Sequence, residues 1–143
     1  AVMAAEADGE DPGAPVDAIL LDAPCTATGI YRRHPDVLHR IGPRQIDELA
    51  ALQAELLARA ADWLHPGGVM VYATCSLERA EGEAQIDRFL SARPDFHILP
   101  PEPGDWMAGI VAARGWLRTL PHHWRDAGGV DGFFVARMAR NAN

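Results

Sequence analysis

Two short apolar stretches of the chain each end on a cysteine. The first spans residues 17–22 and continues as Asp22-Ala-Pro-Cys25, and the second spans residues 69–74 and continues as Cys75-Ser76. Apolar runs of this length, bounded in this way, predict buried β-strands. Proline cannot continue a central sheet ladder. Because the 143 residues contain no other cysteine, both thiols are predicted to lie where a strand opens into a loop.

Helical periodicity predicts one long helix between these two strands. Apolar residues recur at helical spacing from Arg44 to Leu64, and Pro66-Gly67-Gly68 ends the pattern. A second helix is predicted from Glu78 to Ala92, with Ser76 as its cap. Further strands are predicted over residues 96–99, 115–120 and 132–138.

The alternation of strands and helices predicts an α/β fold with right-handed crossovers and parallel strands, in which the final strand is antiparallel. These elements amount to half of a doubly wound sheet. Residues 1–16 are expected to form a flexible acidic lead-in, residues 17–138 the folded domain and residues 139–143 a tail. The segment 23–43 is expected to be a long loop.

The formal net charge of −7 is unevenly distributed. Residues 1–24 carry six acids and no base, whereas the remainder carries 14 acids against 13 bases, all of them arginine. This balance neither favours nor excludes RNA binding. We expect no membrane span, because no apolar stretch approaches the ~20 residues that one needs, and no signal peptide, because the first residues lack the charged-then-apolar pattern of one. We therefore expect a cytoplasmic protein with reduced cysteines.

If the two cysteine-ending strands are neighbours, Cys25, Cys75, Asp22 and Pro24 meet in one crevice at the carboxyl end of the sheet, where α/β proteins bind ligands. The start of the second helix would favour a Cys75 thiolate. Other interpretations are apolar packing of the cysteines, a disulfide, or a zinc site. A zinc ion would be bound by the two cysteines together with histidines from the set His34, His39, His122 and His123. The sequence has no closely spaced C-x-x-C ligand pair, which argues against this site.

The two cysteine motifs resemble those of the Sun/Fmu family of RNA 5-methylcytosine methyltransferases. The resemblance covers residues 17–138 and rests first on Asp22-Ala-Pro-Cys25 with Gly29 and on Ala73-Thr-Cys75-Ser76. Supporting segments are Tyr31-Arg-Arg-His-Pro-Asp36, His65-Pro-Gly-Gly68 and Asp131-Gly-Phe-Phe-Val-Ala136. It implies the C-terminal half of a Rossmann-like, S-adenosylmethionine-dependent methyltransferase sheet.

The resemblance also implies a role for each residue of the crevice. Cys75 would be the nucleophile that adds to carbon 6 of cytosine, and Cys25 would help release the product. Asp22 would lie near the base ring nitrogen and the cofactor S-adenosylmethionine, and the Pro24 carbonyl near the exocyclic amine. The glycine-rich cofactor loop of the family, with its lysine, is not in this sequence. The implied partners are therefore ribosomal RNA and a missing N-terminal half, without which we expect little activity.

Four arginines follow the first cysteine motif. They would contact RNA phosphates or pair with acids on the surface: Arg32, Arg33, Arg40 and Arg44. The aromatic residues are expected to pack in the core rather than stack on nucleotides, namely Phe133, Phe134, Trp106, Trp116 and Trp124.

Two other functions stay open. One is a catalytically inactive docking module that retains the half-fold. The other is a thiol redox or hydrolytic enzyme that pairs Cys75 with His122 or His123.

Overall fold

The structure, a computed structural model, describes residues 2–5, 11–102, 104 and 109–142. The strands are β1 (Val2–Ala5), β2 (Val16–Asp22), β3 (Leu64–Thr74), β4 (Phe96–Ile98), β5 (Leu117–Thr119) and β6 (Phe133–Arg140). The α-helices are α1 (Val37–Arg40), α2 (Pro43–Trp63) and α3 (Glu83–Ala92), and 3-10 helices span Thr28–Ile30, Arg79–Glu81 and Arg125–Ala127.

The two strands that end on cysteines are neighbours in the sheet, which meets the condition for the predicted crevice. β2 pairs with β3 in parallel, and Asp22 lies opposite Ala73 at the end of the ladder. A bulge interrupts this ladder, because the register moves from Val16 opposite Leu64 to Ala18 opposite Val69. Because β2 and β3 are parallel, both strands end at the carboxyl end of the sheet, and the loops that follow them lie there together.

The final strand is antiparallel, which confirms the predicted mixed α/β sheet. The strand order is β1-β2-β3-β6-β4. β5 is not part of this linear order and pairs with β6. β6 runs antiparallel to β3, β4 and β5. β4 therefore has the direction of β3, as expected for a third crossover strand, but β6 lies between them.

α2 covers the sheet with its apolar face and connects directly to β3. Proline at its first turn suits a helix start, and its buried apolar residues are Ala50, Leu56, Leu57, Ala60 and Ala61. These side chains join one core cluster with residues of β2, β3 and β6. Within the described parts of the chain, α2 and the other helices are all too short or too polar to cross a membrane.

Several boundaries differ from the sequence prediction. Residues 2–5, expected to be part of a flexible lead-in, form β1 and pair with β2 in parallel. Residues 2–5 read Val-Met-Ala-Ala, an apolar run of strand length, and the acids that suggested a mobile segment begin only at Glu6. The predicted loop 23–43 contains a 3-10 helix and α1. β3 begins at Leu64 rather than 69, and β6 extends into the predicted tail, as far as Arg140.

Aromatic side chains fill the core beneath β3 and β6. Phe134 is fully buried, with its ring centroid 6.3 Å from that of Tyr72 and 5.9 Å from that of Trp116. The expectation of core packing is thus confirmed for Phe134 and Trp116. It is wrong for Phe133 and Trp124, which are 37% and 42% exposed. Trp106 lies outside the described residues.

Phe134→Ala is expected to lower the free energy of unfolding by about 3–5 kcal/mol, because it leaves a cavity between Tyr72 and Trp116. The neighbouring Phe133→Ala is the matched control and is expected to cost less than about 1 kcal/mol. Urea unfolding of both variants measures the difference. Equal losses would contradict this assignment of the core.

Candidate active site

The two thiols lie side by side at the carboxyl end of β2 and β3. The Sγ atoms of Cys25 and Cys75 are 3.5 Å apart, and both half-buried cysteines are free. The structure thus brings together the two residues that the strand-end pattern predicted to share one crevice. Asp22 is exposed at the end of β2, two residues before Pro24.

Backbone hydrogen bonds hold the two cysteine loops against each other. The Ala23 N–H donates to the Ala73 carbonyl oxygen over 3.0 Å, and the Gly29 N–H donates to that of Cys75 over 2.9 Å. Gly132, just before β6, donates to the Gly29 carbonyl oxygen over 2.8 Å. A Cβ on residue 29 would lie 2.1 Å from the Gly132 oxygen and 2.6 Å from the Cys75 oxygen, so this crossing requires glycine.

The contact between the thiols makes them chemically unequal. The hydrogen bond with Cys25 lowers the pKa of Cys75 to about 7, against the opposing effect of burial. The same hydrogen bond, together with burial, raises the pKa of Cys25. Since a thiolate is the nucleophilic form of cysteine, the pair has one side chain prepared to attack and one that keeps its proton.

The prediction that a helix N-terminus stabilises the Cys75 thiolate is wrong. The 3-10 helix after Cys75 spans Arg79–Glu81, and α3 starts only at Glu83. Ser76 caps neither of these helices with its side chain. Its Oγ instead accepts a hydrogen bond from the Glu78 N–H over 3.0 Å.

A buried carboxylate beneath the thiols was missed by sequence reasoning. Glu81 is fully buried. One carboxylate oxygen accepts from the Thr26 N–H and from Gln53 Nε2, each over 3.0 Å. The other accepts from Thr26 Oγ1 and from Ser76 Oγ, each over 2.5 Å.

Two glutamines extend this network into the helices. Gln53 of α2 also donates to the Pro24 carbonyl oxygen over 2.8 Å and accepts from the Tyr72 hydroxyl over 3.1 Å. Gln85 of α3 donates to Gln53 Oε1 over 3.2 Å. Both glutamines are buried on the apolar faces of their helices. That position in the helical pattern was the one available sign of a buried polar network, since buried polar groups need partners.

The arginines after the first cysteine motif are largely paired with acids. Arg33 contacts Asp131 through two nitrogens, which raises the pKa of Arg33 and lowers that of Asp131. Arg40 pairs with Asp36 over 2.6 Å and Arg44 with Glu48 over 2.7 Å. Arg32 is exposed.

A cavity of about 510 Å³ opens beside the loop that follows Cys25. Its size is within the range of small-molecule sites. Its walls come from that loop, α1 and the start of α2, and consist of Thr26, Ala27, Ile30, His34, Val37, Arg40, Ile41 and Gln45.

The histidines of the alternative hypotheses have other neighbours. His123 Nδ1 accepts a hydrogen bond from the Leu120 N–H over 3.2 Å, and its ring packs against His122 and Trp124. The hydrogen bond of the Cys75 thiol is made with Cys25. Among the described residues, no three His, Cys, Asp or Glu side chains are close enough together to hold a metal ion.

Comparison with solved structures identifies the class of fold. The crystal structure of NSun6 from Pyrococcus horikoshii with SFG matches with a TM-score of 0.75 and 28% identity, covering 93% of this chain and 32% of that one. A methyltransferase homolog from Pyrococcus horikoshii matches with a TM-score of 0.65 and 31% identity, over 90% of this chain and 40% of that one. The sheet is thus part of an S-adenosylmethionine-dependent methyltransferase fold.

Sequence comparison identifies the family. The family model for 16S rRNA methyltransferase RsmB/F matches residues 2–139. Ribosomal RNA small subunit methyltransferase B of Thermus thermophilus is 41% identical over 125 residues, covering 85% of this chain and 29% of that protein. The protein of the same name from Xylella fastidiosa is 44% identical over 139 residues, covering 97% of this chain and 30% of that protein.

The chain belongs to the RsmB/F methyltransferase family, which confirms the resemblance drawn from the cysteine motifs. Proteins of this family use S-adenosylmethionine. The chain spans about 30% of the length of the curated relatives it matches.

Gly29→Ala is expected to destabilise the chain by at least about 1–3 kcal/mol, the usual cost of overpacking, because the added Cβ overlaps two backbone oxygens. Gly42→Ala is the control, since Gly42 has an extended backbone and the added carbon meets only Gln45 Oε1 at 3.7 Å. Its expected cost is below about 1 kcal/mol. Thermal unfolding of the two variants tests the difference. A Gly29 variant as stable as the Gly42 variant would refute the close contact of the Gly29 backbone with Cys75 and Gly132.

Alkylation by iodoacetamide is expected to modify Cys75 with a midpoint near pH 7, with Cys25 reacting far more slowly. In Cys25→Ala the hydrogen bond is lost, so the Cys75 midpoint should rise toward the ~8.5 of an ordinary thiol. Mass spectrometry after timed alkylation at each pH measures both. An unchanged midpoint in Cys25→Ala would show that the neighbouring thiol does not assist ionisation.

Proposed function

We propose that this chain is the C-terminal catalytic half of a ribosomal RNA cytosine-5 methyltransferase that uses Cys75 as nucleophile. The observation that carries this proposal is the pair of thiols at 3.5 Å, in which Cys25 lowers the pKa of Cys75 to about 7. Carbon 5 of cytosine is a weak nucleophile until a thiolate adds to carbon 6. An ionised cysteine is therefore the group that this reaction needs.

In the proposed reaction, the Cys75 sulfur bonds to carbon 6 and electron density moves to carbon 5. S-adenosylmethionine, when bound, supplies the methyl group to carbon 5. Transfer of the carbon-5 proton to solvent water then restores the double bond between carbons 5 and 6 and expels the Cys75 thiolate. Cys25, which keeps its proton and lies against the Cys75 sulfur, assists this release. The target cytosine must be flipped out to reach the thiols.

The neighbouring residues position the base and the RNA in this proposal. Asp22, exposed at the end of β2, faces the ring nitrogen of the base and the cofactor. The carbonyl oxygen of Pro24 accepts from Gln53 and has a second lone pair, which takes the exocyclic amine. Arg32 and Arg33 contact RNA phosphates; Arg33 does so while paired with Asp131.

Tight cofactor binding requires the missing N-terminal half in this proposal. The described residues offer Asp22 toward the cofactor, while the glycine-rich loop and lysine implied by the resemblance are not in the sequence. β1 lies at the sheet edge, and unpaired strand edges accept further strands, so the upstream half of the sheet would continue there. We place the assembled enzyme in the cytoplasm, with ribosomal RNA as its substrate.

Covalent trapping tests this function. The chain, joined to an upstream catalytic half, is incubated with S-adenosylmethionine and RNA that carries 5-fluorocytosine, because fluorine on carbon 5 prevents the release step. A stable protein–RNA adduct is expected with the unmodified protein and with Cys25→Ala, and none with Cys75→Ala. Denaturing gel electrophoresis measures the adduct.

The outcomes of this test separate the candidate functions. An adduct that depends on Cys25 but not on Cys75 would reverse the two roles. If the folded protein binds RNA but forms no adduct, the nucleophile assignment fails and the docking-module hypothesis is favoured.

A further inference from the structure

We infer that Glu81 is the positioning residue that sets the spacing of the two thiols. This inference deepens the proposed function and rests on it. Thr26 directly follows Cys25, and Ser76 directly follows Cys75. Both hydroxyls donate to the same carboxylate oxygen of Glu81, each over 2.5 Å. One buried atom therefore holds the residue next to each cysteine.

The second carboxylate oxygen strengthens this arrangement. It accepts from the Thr26 N–H and from Gln53 Nε2, and the same Gln53 nitrogen donates to the Pro24 carbonyl oxygen. The loop that carries Cys25 is thus attached to Glu81 on both sides of the cysteine. Glu81 touches neither thiol by a hydrogen bond, so its effect on the chemistry acts through Thr26, Ser76 and Gln53.

A positioning role can be distinguished from a purely structural one, because it predicts that Glu81→Gln and Glu81→Ala change the pKa of Cys75 differently. The ionisable groups that act on Cys75 are Cys25 and Asp22, from β2 and its loop, and Glu81. The Cys25 hydrogen bond lowers the pKa of Cys75 and is the largest effect, whereas the charge of Glu81 raises it slightly. Losing the spacing of the thiols should therefore raise the pKa of Cys75, whereas losing the charge of Glu81 should lower it.

The test is the alkylation profile of Cys75 in Glu81→Gln and Glu81→Ala, on the chain without RNA or cofactor. Glutamine retains one acceptor oxygen, and its amide can donate to the two hydroxyl oxygens, so the spacing should persist and the midpoint should stay near pH 7 or fall. Alanine removes both attachments, so the midpoint should rise toward ~8.5, with alkylation at pH 7 roughly tenfold slower. Glu78→Ala, in the same turn, is the control and should leave the profile unchanged.

Circular dichroism establishes that each variant is folded. If Glu81→Ala does not fold, Thr26→Val replaces it, because this change removes a single hydroxyl of the network and should raise the midpoint by a smaller amount. A folded Glu81→Ala with an unchanged or lowered midpoint would overturn the inference. Absence of a 5-fluorocytosine adduct in the unmodified enzyme would refute the proposed function instead, without changing this result.

Discussion

The cysteine pair depends on a single carboxylate buried beneath it. Placing a carboxylate in a protein interior is unfavourable unless hydrogen bonds replace its water. Glu81 obtains them from three separate segments: the loop after β2, α2 and the residue after Cys75. The dependence is mutual, since the carboxylate is the acceptor of the buried Thr26 N–H, which would otherwise be left unsatisfied. The two cysteine loops and α2 must therefore be in place together.

The sheet sets the coarse position of the thiols and the carboxylate refines it. Parallel pairing of Asp22 with Ala73 aligns the strand ends, and a slip of one residue would turn the side chains to the opposite face. The bulge between Val16 and Ala18 absorbs the extra residues of β3 before this alignment begins. Gly29 then draws the first loop onto the Cys75 carbonyl, which strand pairing alone does not do.

The sequence predicted the features that follow from local periodicity. An apolar run ending on a cysteine, a helical stripe and a Pro-Gly-Gly break sufficed to place β2, α2 and the adjacent strand ends. Glu81 was not predicted, because an acid beside Arg79 in a polar segment has the pattern of a surface residue and its partners lie up to 55 residues away. The prediction that a helix start assists Cys75 was wrong, because the chain forms a 3-10 helix before α3 begins. Long-range hydrogen bonds are not encoded in local spacing.

The source of thiol activation has a consequence for the second cysteine. In many enzymes a histidine ionises the nucleophile, whereas here the contact that lowers the pKa of Cys75 comes from Cys25. Under the proposed mechanism, Cys25 therefore acts twice, first by stabilising the attacking thiolate and later by assisting its release. The two actions differ in their dependence on pH, because alkaline conditions ionise Cys75 without help but do not replace a proton held against the leaving sulfur. One thiol can serve both steps only if the spacing to Cys75 is maintained throughout the reaction, and a buried, fully hydrogen-bonded carboxylate provides that constancy.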